Sequence, residues 1–424
     1  MAEQIIEPVF DIFARILPRT RFFSYFSTVF MISLLIHTLF YVKMLFWIKA
    51  FFPENSKRKK AVIILTLSVV YLLIPIFLRY HLQQSNVKIS PLQYYFLFYP
   101  ASFYHFVVLS YSIIMLFYLP IKLLYRAILW LMEKIENQHL EHFRFSPEWK
   151  SKLLKAGIIF PILIILAWIY GNIRFAYFQE ITRPVYLNKN LPGSLNGLRI
   201  LHVTDTHVGY FFRQKDMNKL VDIINRQNAD LIVFTGDYID NSNAYLSEFT
   251  EPLKRMKKPK YGIYFCLGNH DTYAGHGRIT REIKNVGITV LRNSHRIIQI
   301  KKHRLAVVGL EDISTGAEDL DSAFRGIQAD FSLLLVHQPY RFEQYAKKGA
   351  NLVLCGHTHG GQIVLGKWGK RTITPAALAS PYIAGFYQSG KSALYVNRGY
   401  GVAFFPLRIN CDPEIAVITL KSYQ

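Results

Sequence analysis

An N-terminal α-helical transmembrane region joined to a C-terminal α/β domain is the architecture this sequence predicts, on three observations. Of 424 residues, 51% are hydrophobic and only 18% charged, below the roughly 25% of ordinary soluble domains. The first half holds four long stretches without a charged residue. From Leu198 the pattern changes to short apolar runs separated by polar or helical stretches, as strands alternating with helices require.

The charge-free stretches lie between Arg21 and Lys43, Lys60 and Arg79, Lys88 and Lys122, and Lys155 and Arg174. About 20 apolar residues cross a bilayer core, so four spans are expected, near 22–42, 61–78, 98–121 and 156–173. Buried helices of a soluble bundle would need polar faces at helical spacing, and the run AVIILTLSVVYLLIPIFL has none. The loops after the first and third spans carry most Lys and Arg, including Lys57–Lys60 and Lys122–Lys155, and are expected on the cytoplasmic side. Both termini then face outward, which makes an integral membrane protein with an extracytoplasmic C-terminal domain. The expected division is 1–175 for the membrane region, 176–197 for a linker with Pro184, Pro192 and Gly193, and 198–424 for the α/β domain.

The net charge of +22 raises the question of nucleic acid. Residues 1–195 hold 21 basic and 9 acidic side chains, so +12 belongs to the front half and +10 to the rest. No basic stripe interleaved with aromatics accompanies it, which disfavours a nuclease. Cys266, Cys355 and Cys411 are odd in number and none forms a CxxC pair, which excludes a disulfide framework and a thiolate zinc site.

Five apolar runs of the second half end in polar clusters. LRILHVT leads to Asp205 and His207, ADLIVFT to Asp237 and Asp240, GIYFCL to Asn269 and His270, FSLLLV to His337, and NLVLC to His357 and His359. Residues just beyond the carboxyl ends of strands converge on the ligand crevice of an α/β sheet. Each cluster alone has an ordinary explanation as a turn, a helix cap or a loop histidine; five in order do not. Asp205, His207, Asp237, Asn269, His337, His357 and His359 are oxygen and imidazole donors without a thiolate, a set for hard or borderline divalent ions such as manganese, iron or zinc. Seven donors exceed one tetrahedral ion, so two divalent metal ions are expected, manganese first.

The order D-x-H, GD-x-x-D, GNHD, H, GHTH is similar to that of the calcineurin-like metallophosphoesterase superfamily. The extended block GHTHGGQI, Gly356–Ile363, and the late RG-x-G…PLR…PEI segment, with Arg398, Gly399, Gly401, Pro406–Arg408 and Pro413–Ile415, resemble its membrane-anchored bacterial branch. The resemblance covers roughly residues 196–421. It implies a two-sheet αββα sandwich around a dinuclear centre, with Asp205, His207 and His359 on one ion, Asn269, His337 and His357 on the other, and Asp237 bridging. It also implies His270 as the catalytic histidine and Asp240 as the carboxylate orienting it. Asn241 stands where phosphoprotein phosphatases have a phosphate-binding Arg, which disfavours a phosphoprotein substrate.

The expected function is a membrane-anchored phosphodiesterase or pyrophosphatase acting by metal-bridged hydroxide on a lipid-linked or membrane-proximal phosphoester. The alternatives are a UDP-2,3-diacylglucosamine hydrolase of lipid A synthesis, were the domain cytoplasmic, and a non-catalytic receptor or transporter with a phosphoesterase-like domain.

Overall fold

Strand order in the second half brings the five polar clusters to one rim. The computed structural model describes residues 54–84, 87–136, 147–240, 242–369 and 371–423, with scattered residues between 37 and 52. One sheet is ordered β1-β15-β3-β4-β5-β6, with β2 also on β15, from strands β1 (Glu180–Thr182), β2 (Val185–Leu187), β3 (Arg199–Val203), β4 (Leu231–Thr235), β5 (Ile263–Cys266), β6 (Thr289–Val290) and β15 (Glu414–Lys421). The second is ordered β13-β14-β10-β9-β8-β7, from β7 (Ser294–Ile300), β8 (His303–Gly309), β9 (Phe331–Leu335), β10 (Leu352–Cys355), β13 (Gly385–Ser389) and β14 (Ser392–Val396). A two-stranded ribbon, β11 (Gly366–Trp368) with β12 (Arg371–Ile373), lies apart from both sheets.

The apolar patterning explains the stacking. β4, β9 and β10 are buried along their whole length, as parallel strands covered on both faces must be. Ile200, Leu231 and Val233 of the first sheet share a cluster with Leu305, Val307, Leu333 and Leu354 of the second, the interior of a sandwich. Outside the first sheet, helices Gln214–Asn225, Leu246–Leu253 and Asn269–Asn285 bury Leu220, Phe249 and Ile279 against Phe234 and Phe265. Outside the second, Ala323, Phe342 and Tyr345 of two short helices pack on Val308, Leu334 and Val353. The α/β part is thus an αββα sandwich, as the resemblance implies. β3, β4 and β5 are parallel neighbours in one sheet and β9 and β10 in the other, so five carboxyl ends open on a common edge.

The membrane region is not borne out. Helices Asn55–Gln84, Tyr99–Glu136 and Pro147–Tyr177 run for 30, 38 and 31 residues, yet among the described residues no helix is long and apolar enough to cross a membrane. The first expected span, 22–42, lies largely outside the described residues. The four spans, the integral-membrane location and the extracytoplasmic placement derived from them are corrected accordingly. A charge-free gap shows that no formal charge interrupts a segment, not what covers it. The helices run beyond the gaps into charge, with Lys57, Arg58, Lys59 and Lys60 in one, Lys122, Arg126 and Lys134 after Pro120 in another, and Lys150, Lys152 and Lys155 in the third.

Part of the apolar surface is also covered by protein. The chain divides into two compact units, Met1–Ile74 with Phe103–Ile164, and Pro75–Ser102 with Ile165–Gln424. Within the second, Ile89 and Phe98 belong to the core outside the first sheet. The Phe98 ring stacks on Tyr210 at 5.2 Å, and the Ile89 N–H donates to the Tyr245 hydroxyl at 3.0 Å. Trp168 is buried and donates to the Tyr99 hydroxyl at 3.2 Å.

Candidate metal centre

Each expected site residue follows its strand within a few positions, and the backbone turns sharply to place it. Asp205, His207, Asp237, His357 and His359 all adopt positive φ, from 44° to 73°, without being glycine. Such conformations cost of order 1–3 kcal/mol each and persist only where surrounding structure over-determines them. The surroundings are close: a Cβ on Gly356 would meet Asp205 Oδ2 at 2.1 Å, and one on Gly268 would meet Asp237 Oδ1 at 2.2 Å. Glycine at these two places lets two loops approach the carboxylates.

The side chains gather into two groups of possible metal-holding geometry, Asp205–His207–His359 and Asp237–His337–His357. His207 Nε2 lies 3.1 Å from His359 Nε2, and Asp205 Oδ1 lies 3.4 Å from the same His359 atom. His337 Nε2 lies 3.1 Å from His357 Nδ1. Asp237 Oδ2 falls between the groups, 3.0 Å from His337 Nε2 and 3.6 Å from His207 Nε2.

The residues fit two cations. Imidazole nitrogens face one another at hydrogen-bond distance beside carboxylate oxygens, and among the described residues the buried Asn269 Oδ1 has no hydrogen-bond partner. His337 Nδ1–H donates to the Thr235 carbonyl at 2.8 Å, which leaves Nε2 as the atom a cation would take. Burial opposes charge on this ring, but Asp237, 3.0 Å from Nε2, outweighs burial and raises His337 well above its ordinary value; that proton is one a bound cation would displace. Burial, reinforced by charge on His337, lowers His357 to about 3. Burial and then His207 hold His359 well below its ordinary value. Neutral imidazoles are the ligating form.

His270 opens the helix Asn269–Asn285. Its backbone N–H donates to Asp237 Oδ1 at 2.9 Å. Its Nδ1–H donates at 2.5 Å to the main-chain carbonyl of Asp240, while the Asp240 carboxylate is 3.6 Å away. The ring's nearest partner is therefore a peptide group. Burial opposes its charge, but Asp237 and then Asp240 outweigh burial and raise His270 to about 9. Asp240 also stands 3.8 Å from His207 Nδ1, and His207, Asp240 and His270 form a third close group.

Sequence reasoning assigned no role to Asp271 and Arg408, both of which the structure ties to this site. Asp271 is fully buried and takes three backbone N–H groups of the two loops that carry Asp237 and Asn269. Arg408 is fully buried and donates to the carbonyl of His359. Both stood inside quoted motifs, GNHD and PLR, and that was the available signal. Cys266 and Cys355 are buried, and burial raises both thiols well above the ordinary range, which suits strand residues and not nucleophiles.

Residues 198–361 match the family model for the calcineurin-like phosphoesterase. The chain is 35% identical to the metallophosphoesterase YkuE of Bacillus subtilis (strain 168) over 60% of its own length and 90% of that relative. This chain belongs to the calcineurin-like metallophosphoesterase family. The metallophosphoesterase is also 30% identical to the phosphodiesterase YaeI of Escherichia coli (strain K12), over 58% of this chain and 86% of that one. A Danio rerio transmembrane protein with metallophosphoesterase domain is 30% identical over 64% of each chain. Family membership makes the chain a phosphoester hydrolase.

Proposed function

We propose that this metallophosphoesterase is a phosphodiesterase dependent on two divalent metal ions, manganese first among them. The observation that carries the proposal is the position of Asp237 Oδ2, within 3.0 Å of one histidine group and 3.6 Å of the other. Asp205, His207 and His359 would hold one ion, Asn269, His337 and His357 the second, with Asp237 shared. When bound, such a pair lowers the pKa of a shared water and neutralises charge on the phosphoryl oxygens.

The chain's own groups supply the rest. His270 keeps one proton on Nδ1 through the Asp240 carbonyl, which frees Nε2 to deliver a proton to a leaving oxygen. The lipid-linked substrate drew on membrane placement, and the proposed substrate class is a phosphodiester in general. A non-catalytic receptor is disfavoured because every expected side chain stands at the rim.

Asp237→Asn tests the proposal. Turnover of bis-nitrophenyl phosphate is expected to vanish and bound metal to fall below two per chain, with the melting transition retained. Turnover at the level of the unaltered chain would refute the shared-carboxylate assignment.

A further inference from the structure

Arg408 is among the largest fully buried side chains of the described residues, and none of their acidic groups forms an ion pair with it. A buried cation is costly unless its donors are met. Here carbonyls meet them. Nε donates to Gly401 O at 3.0 Å; Nη1 to His359 O and Cys411 O, both at 3.3 Å; Nη2 to Gly401 O at 2.6 Å, Arg398 O at 2.9 Å and Gly399 O at 3.0 Å. A planar fork of five donors can serve so many acceptors; an ammonium cannot.

Those carbonyls belong to the loops that form one half of the metal centre. The RG-x-G loop lies directly on the Asp205 loop. Gly401 N–H donates to Asp205 O at 2.7 Å, and a Cβ on Gly399 would come within 2.8 Å of the Asp205 Cβ. The HGG turn after GHTH is locked to the same loop, since a Cβ on Gly360 would meet Arg398 Cγ at 2.6 Å and Cys411 Sγ at 2.7 Å. The Arg408 backbone is itself fixed, its N–H donating to Gly171 O at 2.9 Å. His359 and Asp205 hold left-handed backbones, φ 50° and 54°, which need such restraint.

We infer that Arg408 is a positioning residue for the Asp205–His207–His359 ion site, fixing His359 and the loop against Asp205 so that this site reaches its full metal affinity. The inference rests on the two-ion reading above. On the Asn269–His337–His357 side, His337 is aligned by Thr235 on β4, and His357 is linked to the Arg408-held loop only at one remove, through its N–H to the Asp205 carboxylate at 3.0 Å.

The test is Arg408→Lys in the full chain, which keeps the charge and loses the fork, titrated with manganese by calorimetry and by electron paramagnetic resonance. The unaltered chain is expected to take two ions; failure there would sink the two-ion reading and not this inference. In Arg408→Lys one ion should bind as before and the other about 10–100-fold more weakly, the usual effect of disturbing a ligand's supporting contacts. A spin-coupled pair should give way to a single-ion signal at low manganese, and millimolar manganese should restore kcat. Adding His337→Ala should then remove the remaining tight ion. Equal weakening of both sites, or none, would overturn the inference. Should Arg408→Lys not fold, it and Arg408→Gln are refolded in millimolar manganese. Metal binding adds to folding stability, so recovery of a cooperative melt supports the role and persistent unfolding at saturating metal refutes it.

Discussion

The Asp271 carboxylate staples the turn carrying Asp237 to the turn carrying Asn269. Oδ2 accepts from Asp237 N at 2.8 Å and Gly268 N at 2.9 Å, and Oδ1 accepts from Tyr238 N at 2.9 Å. These N–H groups would otherwise be buried without partners. Removing an acceptor from a buried donor costs about 1–3 kcal/mol. Asp271→Ala strands three donors and Asp271→Asn turns an amide NH2 toward at least one. Asp271→Asn is expected to lower stability by about 1–3 kcal/mol in denaturant titration without metal, the cost of one stranded donor. Asp271→Ala should lose more, and a loss below 0.5 kcal/mol for either would contradict the staple.

The same residue shows what was legible in the sequence. The GNHD motif was visible, and the ligand at Asn269 and the histidine at His270 followed from it by resemblance. The role of Asp271 was not, because it consists of backbone contacts to residues 33 and 34 positions away. The α/β pattern was legible because apolar runs ending in polar clusters mark strand ends, and the two-sheet αββα sandwich followed by resemblance. The apolar helices misled because a charge-free gap fixes neither the ends nor the mean hydropathy of the helix that forms, and these helices run on into Lys57–Lys60 and into Lys122, Arg126 and Lys134. Asp240 was expected to hold His270 by its carboxylate, whereas its carbonyl is nearer, a choice of atom that no motif encodes.

Gly356 should tolerate no side chain. It follows β10, and a Cβ there would stand 2.1 Å from Asp205 Oδ2, 2.3 Å from Thr204 Oγ1 and 2.5 Å from Thr204 Cγ2. Asp205 is a proposed ligand, and its Oδ2 is already held by Thr204 Oγ1 at 2.7 Å and His357 N at 3.0 Å, so it cannot move freely. Gly356→Ala is expected to displace Asp205 and reduce manganese bound at equilibrium, with little folded protein recovered. Gly366→Ala, on β11 with open space around it, serves as the control and should behave as the unaltered chain does.

Glu248 should contribute acid-sensitive stability. Burial alone would raise its carboxyl, but the hydrogen bond from Arg213, the Gln214 N–H and the nearby Lys88 outweigh burial and hold its pKa below the ordinary 4.5. The contacts are Arg213 Nε at 2.8 Å, Arg213 Nη2 at 3.0 Å and Gln214 N at 3.1 Å. A carboxyl whose folded pKa is depressed favours the native state fully above its unfolded pKa and loses that contribution as pH falls through the folded value. The stability gap between the unaltered chain and Glu248→Gln is therefore expected at neutral pH, at about 2 kcal/mol, and should close as pH falls below 4.5. A gap that persists at pH 3 would rule out the ionised pairing as its source.

His270 and Asp240 should separate proton delivery from metal holding. Neither belongs to the two proposed ligand sets, so His270→Ala is expected to retain both ions by metal analysis while losing 10²–10⁴-fold in turnover, the range for a positioned acid or base. Because Nδ1–H is held by the Asp240 main chain at 2.5 Å, and the carboxylate stands 3.6 Å off, Asp240→Asn leaves the nearest contact in place. It should cost about tenfold or less, at the weak end of what such groups supply. A nitrophenolate leaving group needs little protonation, so the His270→Ala defect should be smaller for bis-nitrophenyl phosphate than for an alkyl phosphodiester. The double variant should be little worse than His270→Ala, since groups acting as a unit are not additive. If His270→Ala loses metal, or penalises the activated and alkyl esters alike, the side chain is not delivering the proton, and the Nε2 assignment must be abandoned.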